Sequence, residues 1–262
     1  MSKPLGNDAW WDTSWNPIAG CRAVSPGRAN CYAAQIAGTY TWLKKTLHYG
    51  LIICRGTRRI FNGEHRDAAP RDPVWTVPRD LPREANPKLG PGQPTLIFVG
   101  DMGDLFYEVR QTQIIDRVCG TIAQSEHIGL LLTKRTRRAA DYFSALDART
   151  VRRWLLWLGF SAERQREFDT RWQDMRPLAD AGWLVFVSIA PMIGPVTLPS
   201  DFLALRNRSW VIVAGEQGPH RLCRDMDSDW ARALRDLSGR GESFSYPPPP
   251  SRFKFPPAGN GF

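Results

Sequence analysis

The sequence predicts an α/β protein built on a parallel sheet of βα units, forming an open sheet or a partial TIM-like barrel. Short apolar runs of strand length recur after residue 94, segments with helical apolar spacing separate them, and the runs do not alternate apolar with polar residues. Unalternated β-branched and aromatic runs suit strands buried on both faces, the environment of a parallel sheet. Right-handed crossovers then join neighbouring strands through helices.

In chain order, Trp10, Trp11, Trp15-Asn16-Pro17 and Ser25-Pro26-Gly27 read as a loop. It closes into a helix near Tyr32-Ala33-Ala34-Gln35, where Ala and Gln follow once Pro and Gly stop. A short apolar run, Leu51-Ile52-Ile53-Cys54, comes next. Residues 62–94 are rich in Pro, Arg and Asp without a period, which predicts a long surface excursion with a short strand at Val74-Trp75-Thr76-Val77. Strands are expected over 95–99, 128–133, 154–160, 184–189 and 210–213. Helices are expected over 111–123, through Ile114, Ile115, Val118 and Ile122, and over 228–237, through Trp230, Ala231, Leu234 and Leu237. Residues 1–241 read as one domain. Residues 242–262, with four consecutive prolines, read as an extended or disordered tail, because proline removes ladder donors.

Composition narrows the function. With 42% hydrophobic residues and 11 Trp the chain can bury a core. No stretch reaches the roughly 18 apolar residues of a membrane span. The opening segment lacks the apolar region of a secretory signal, so a cytoplasmic protein is expected. Five scattered cysteines are too few for a disulfide framework, and the four histidines share no zinc-binding spacing. A formal charge of +9 favours polyanionic partners, nucleic acid or nucleotides first, although it also suits plain solubility.

Ligand sites in parallel α/β folds lie at the carboxyl ends of the strands. Each predicted strand here ends in polar residues, which select candidates; the bland alternative is ordinary turn composition. Asp104, Lys134, Glu163 and Glu216 are the candidate catalytic groups. Asp101, Ser188, Gly215 and Glu216, with Tyr32, are the candidate ligand-binding residues. Asp104 equally suits a cap on a following helix. Lys134 opens the run KRTRR, residues 134–138, which equally suits a solvated face. Trp15 and Tyr32 suit stacking on a base, or simply packing.

One set of residues carries a wider resemblance. Trp15-Asn16-Pro17, Gly20-Cys21, Val24-Ser25-Pro26-Gly27 and Cys31-Tyr32-Ala33 stand in the order of an entry motif. Asp104-Leu105-Phe106, Leu132-Thr133-Lys134-Arg135, Gly159 with Ser161 and Glu163, Pro191 with Gly194-Pro195-Val196, Gly215-Glu216 and Asp229-Trp230 continue the match as far as about residue 237. The chain resembles the phage and prophage three-cysteine family of radical-SAM-like proteins. The resemblance implies a radical-SAM-like fold. It also implies a [4Fe–4S] cluster held by cysteines spaced C-x6-C-x2-C, and S-adenosylmethionine bound at the open iron. It further implies action on a nucleotide or on phage DNA bases, in hypermodification, and a dedicated protein partner encoded nearby.

The motif is broken here. Between Cys21 and Cys31 the middle cysteine is replaced by Arg28, whose guanidinium has no lone pair to donate. Cys54 or an external thiol completes the metal set Cys21, Cys31 and Cys54, or the cluster is lost. Cys54 ends an apolar run, which favours a buried core thiol over a ligand. Cys119 and Cys223 fit no ligand spacing. Ala190 stands where the family places Glu in Ser-x-Glu-Pro. Two functions follow: a radical-SAM-like iron–sulfur enzyme or its degenerate descendant, and a non-enzymatic nucleic-acid or partner-binding protein that has lost the cluster. A hydrolase using Asp104, Glu163 and Glu216 is a weaker third, since no nucleophile–base pair is recognisable.

Overall fold

The computed structural model describes residues 9–39, 46–83, 87–146, 153–217 and 223–237. The expectation for the proline-rich tail lies outside them. Six strands form one sheet: β1 (Thr13–Trp15), β6 (Leu96–Val99), β7 (Ile128–Thr133), β8 (Leu156–Ser161), β9 (Val185–Ile189) and β10 (Ser209–Val213). Their order in the sheet is their order in the chain, and every neighbouring pair is parallel. Among the described residues β1 and β10 stand at opposite edges and do not pair with each other, so the described sheet is open. The protein is therefore α/β with a parallel sheet, as its unalternated runs predict.

Successive side chains on a strand point to opposite faces. On one face α3 (Thr112–Ala123) and α5 (Gln165–Asp180) pack over Gly129 and Phe160. Ile122 of α3 fills the space beside Gly129, and Phe168 and Trp172 of α5 meet Phe160. Between these helices lies α4 (Thr136–Ser144), which leans on α5. Neither α4 nor α5 was expected, because both are predominantly polar and bury only a stripe. On the other face Phe98, Phe186 and Trp210 surround Trp10, at ring distances of 4.9, 5.6 and 5.4 Å. Gly159 sits between these rings for a steric reason: a Cβ there would come within 2.1 Å of the Phe186 ring.

The excursion over 62–94 is more than surface. β5 (Arg66–Asp67) pairs antiparallel with β2 (Ile18–Ala19), and Arg110, fully buried, holds Asp67 in an ion pair. Val74–Val77 is not a strand. Pro73–Thr76 is a 3-10 turn that runs into α2 (Val77–Asp80). Pro73 and Pro78 fix helical φ at the start of each piece, and the Asp72 carboxylate accepts from the Val74 amide at 2.9 Å, which outweighs the two valines. Trp75 is thereby buried against Trp15 with its indole N–H on the Ala69 carbonyl. Likewise Arg153–Leu155 forms a 3-10 turn, so the strand expected from 154 begins at Leu156.

Residues 52–61 form a separate two-stranded hairpin, β3 (Ile52–Arg55) and β4 (Arg58–Phe61), which lies against α1 (Tyr32–Thr39). The last described helix is α7 (Ser228–Leu237), anchored by Leu234. No described helix is long and apolar enough to cross a membrane.

Overpacking a close approach typically costs about 1–3 kcal/mol. Gly159→Ala is therefore expected to lower stability by about that amount in urea unfolding. Adding Phe186→Leu should restore most of the loss, since the two positions share one space.

Candidate functional site at the carboxyl ends of the strands

A cavity of about 470 Å³ opens at the carboxyl ends of the sheet, on the face that Trp10 and Trp11 cover. Phe98, Leu132, Ser161, Ser188 and Ile212 reach it because they share one side of the strand alternation. The loop after β6 adds Gly100, Asp101 and Gly103, the start of α1 adds Cys31 and Tyr32, β7 is followed by Lys134, and β10 by Gly215 and Glu216. The expected residues Tyr32, Asp101, Lys134, Ser188, Gly215 and Glu216 are thus brought together. Ser161 and Ser188 are direct neighbours in register, nearly buried, and their hydroxyls have no protein partner among the described residues. Asp101 accepts from Ser14 at 2.8 Å and Asn16 at 2.5 Å. Burial holds its carboxyl above the ordinary range, against the pull of those hydrogen bonds.

Glu163, Asp104 and Glu216 are not free acids. Glu163 is fully buried behind the cavity wall, where Lys134 pairs with it, Arg171 donates at 2.9 Å and the Ser25 hydroxyl donates at 2.6 Å. Gly27 lies so close that a Cβ would stand 2.3 Å from its Oε1. Asp104 accepts from Arg135 at 2.7 Å, Thr133 at 2.8 Å and the Phe106 amide at 3.1 Å. It caps no helix, since the next one starts at Thr112. Arg135 in turn donates to the Arg22 carbonyl at 3.1 Å, lies 3.8 Å from the Cys21 sulfur, and binds Glu108. Burial raises the Glu108 carboxyl, but the hydrogen bond and charge of Arg135 outweigh it and leave it below the ordinary value. Glu216 is held by Arg224 and by Asn30 at 3.1 Å, and Arg224 reaches the Pro26 carbonyl at 3.2 Å. Burial raises this carboxyl too, and its partners bring it below the ordinary value.

All three acids therefore tie down the loop that runs from Cys21 to Cys31. The run KRTRR is only partly a solvated face: Lys134 and Arg135 are turned inward, while Arg137 is exposed. Trp15 belongs to the core, its indole on the Val74 carbonyl at 2.8 Å, and does not reach the cavity.

The cysteines occupy distinct places. Cys21 is fully buried, and Cys31 lines the cavity. Cys54 is exposed on the hairpin, paired across the ladder with Arg59, and is not a core thiol. The apolar run that suggested a core buries only Leu51, because a two-stranded ribbon has one covered face. Cys119 is the core thiol, pushed up to about 12 by burial. Arg28 ends the 3-10 turn Pro26–Arg28 inside the loop. The loop thus supplies two thiols and a cation where a cubane cluster takes three thiolates, and this donor set does not fit the cluster. The cavity itself has aromatic walls, glycine backbone and two hydroxyls without a protein partner among the described residues.

Sequence reading missed Trp10, Trp11, Phe98 and Trp210 as cavity wall, and Ser25, Asn30, Arg171 and Arg224 as partners of the acids. Strand alternation could have placed Phe98 and Trp210 on one face; nothing in the spacing marks Arg171 or Arg224.

After anaerobic reconstitution with iron and sulfide, the chain is expected to hold well under one cluster. Arg28→Cys should raise iron towards about four per chain. A full complement in the unchanged chain that survives Cys54→Ser would contradict the reading of Arg28.

The family described as "Protein of unknown function (DUF5131)" matches residues 7–246. Comparison with curated proteins and with solved structures gives no match. The match spans the whole sheet, the cysteine loop and the three acids, and the chain belongs to the DUF5131 family.

Proposed function

We propose that this chain is a radical-SAM-like partial barrel that binds an adenosyl ligand, S-adenosylmethionine or a nucleotide, in its carboxyl-end cavity without the three-thiolate cluster. The observation that carries this reading is the in-register pair Ser161 and Ser188. Their two adjacent hydroxyls face the cavity without a protein partner among the described residues, and such a pair can bond a ribose diol. Polar groups lining an otherwise apolar pocket are what fix a small ligand's orientation.

The sheet supports the partial-barrel reading through its order, since parallel strands laid down in sequence keep their right-handed crossovers on one face. The opposite face is left for a ligand. There the Trp10, Trp11, Phe98 and Trp210 rings offer flat apolar surface to a purine, and such stacking is worth about 1–3 kcal/mol per base. Gly100 and Gly215, lacking Cβ, let a ligand approach the backbone. Lys134 lines the cavity while pairing with Glu163 behind its wall, so it is not a bare cation. A [4Fe–4S] cluster would supply the electron for sulfonium cleavage, and the cysteine loop here lacks one of its ligands. Binding is therefore the proposed activity. A nucleotide or DNA base, and a protein encoded nearby, remain the proposed partners.

S-adenosylhomocysteine should bind in calorimetric titration with one site per chain. Ser161→Ala/Ser188→Ala should weaken binding about tenfold or more, the loss of two hydrogen bonds, without lowering the melting temperature. If folded wild-type protein binds neither adenosyl compounds nor ATP at millimolar concentration, the reading fails.

A further inference from the structure

A second groove, of about 410 Å³, lies between the β3–β4 hairpin and the cysteine loop. Ser25, Pro26 and Cys31 form one side, and Arg55, Arg58 and Phe61 the other. Cys31 lines both this groove and the main cavity, so the two adjoin at that residue.

Arg55 and Arg58 flank the two-residue turn of the hairpin and stand directly opposite each other in the ladder. Like charges facing across a strand pair are destabilising. Both guanidiniums are exposed, and neither has a hydrogen bond or ion pair among the described residues. Arg22, on the exposed stretch that follows Cys21, adds a third exposed guanidinium in the same condition. These arginines differ from those at the acids above, each of which has a carboxylate. A paired, acid-free set of guanidiniums matches phosphate oxygens, which accept two parallel N–H donors from such a fork. Phe61 stands on the opposite face of the ladder, where with Ile52 it packs against the α1 cluster and seats the hairpin.

We propose that this groove is a phosphate subsite. Arg55 and Arg58 hold the phosphate of a single-stranded nucleic acid or of a mononucleotide. A strand bound this way has its next residue directed past Cys31 towards the main cavity. The subsite extends the reading of a nucleotide-bearing partner but uses none of the adenosyl contacts, so either can fail without the other.

The test is fluorescence anisotropy of a labelled oligothymidylate of about ten nucleotides, over a series of salt concentrations. Wild-type protein should bind at low salt and weaken steeply as salt rises. Arg55→Ala/Arg58→Ala should lose about tenfold or more in affinity at low salt. The slope of log affinity against log salt should shrink by about 1.4, or 0.7 for each single-strand phosphate contact. Its melting temperature should be unchanged or higher, since a like-charge pair is gone; Arg58→Gln alone serves if the double variant does not fold. Arg206→Ala/Arg208→Ala removes the same charge from the turn before β10, at the amino ends of the strands, and should leave binding near wild type. Displacement by thymidine monophosphate identifies a free nucleotide as the ligand, and its failure to displace identifies the polynucleotide. Wild-type-like binding by the Arg55/Arg58 variant, equal losses in both double variants, or no binding at low salt would each overturn the subsite.

Discussion

The loop from Cys21 to Cys31 has little regular structure of its own beyond one 3-10 turn, and its position depends on charge pairing with the sheet. Three carboxylates at the carboxyl ends of alternate strands do this: Asp104 after β6, Glu163 after β8 and Glu216 after β10. Each is matched by a cation from elsewhere: Arg135, Lys134 with Arg171, and Arg224. Those ion pairs then reach the loop, at the Arg22 and Pro26 carbonyls and the Ser25 and Asn30 side chains. Burying a carboxylate costs several kcal/mol of hydration, which a well-made pair roughly offsets, so the net stability gained is small. Removing one partner is another matter, because it strands the other charge. Such pairs fix a geometry more than they deepen the fold.

Packing follows from that geometry. With the loop held down, Cys31 and Tyr32 meet the strand ends and complete the cavity wall. Gly27 is obligatory at the crossing, since its missing side chain is the space that Glu163 fills. Gly20 is another close approach: its φ is +89°, and a Cβ there would lie 2.2 Å from the Glu64 carbonyl. The hairpin then rests on α1 and faces the same loop, which makes one short segment the partition between the carboxyl-end cavity and the arginine groove. The three ion-pair networks thus hold the segment that carries Cys21, Arg28 and Cys31.

Much of this was legible. Five strands follow from unbroken apolar runs, the mark of burial on both faces, and three helices, α1, α3 and α7, from spacing and from where Pro and Gly stop. The location of the cavity follows from parallel strands alone. The roles of the acids were not legible: a carboxylate at a strand end looks the same whether it awaits a substrate or already holds an arginine. Residues such as Arg171, well inside α5, or Arg224, beyond the last strand, carry no local mark of their partners. Cys54 misled for a related reason, since an apolar run does not say whether a strand joins the main sheet or a two-stranded ribbon. Val74–Val77 misled because two flanking prolines outweighed β propensity.

Hydrogen exchange of the cysteine loop in a Glu163→Gln variant tests the anchoring most directly. The carboxamide keeps the size of the side chain but leaves Lys134 and Arg171 without their buried counter-charge. If the anchoring holds, amides of residues 20–31 exchange at least about tenfold faster than in the wild-type protein, while those of β7, β8 and β9 change far less. Loop exchange that stays at the wild-type rate, or that rises only in step with the central strands, would contradict it.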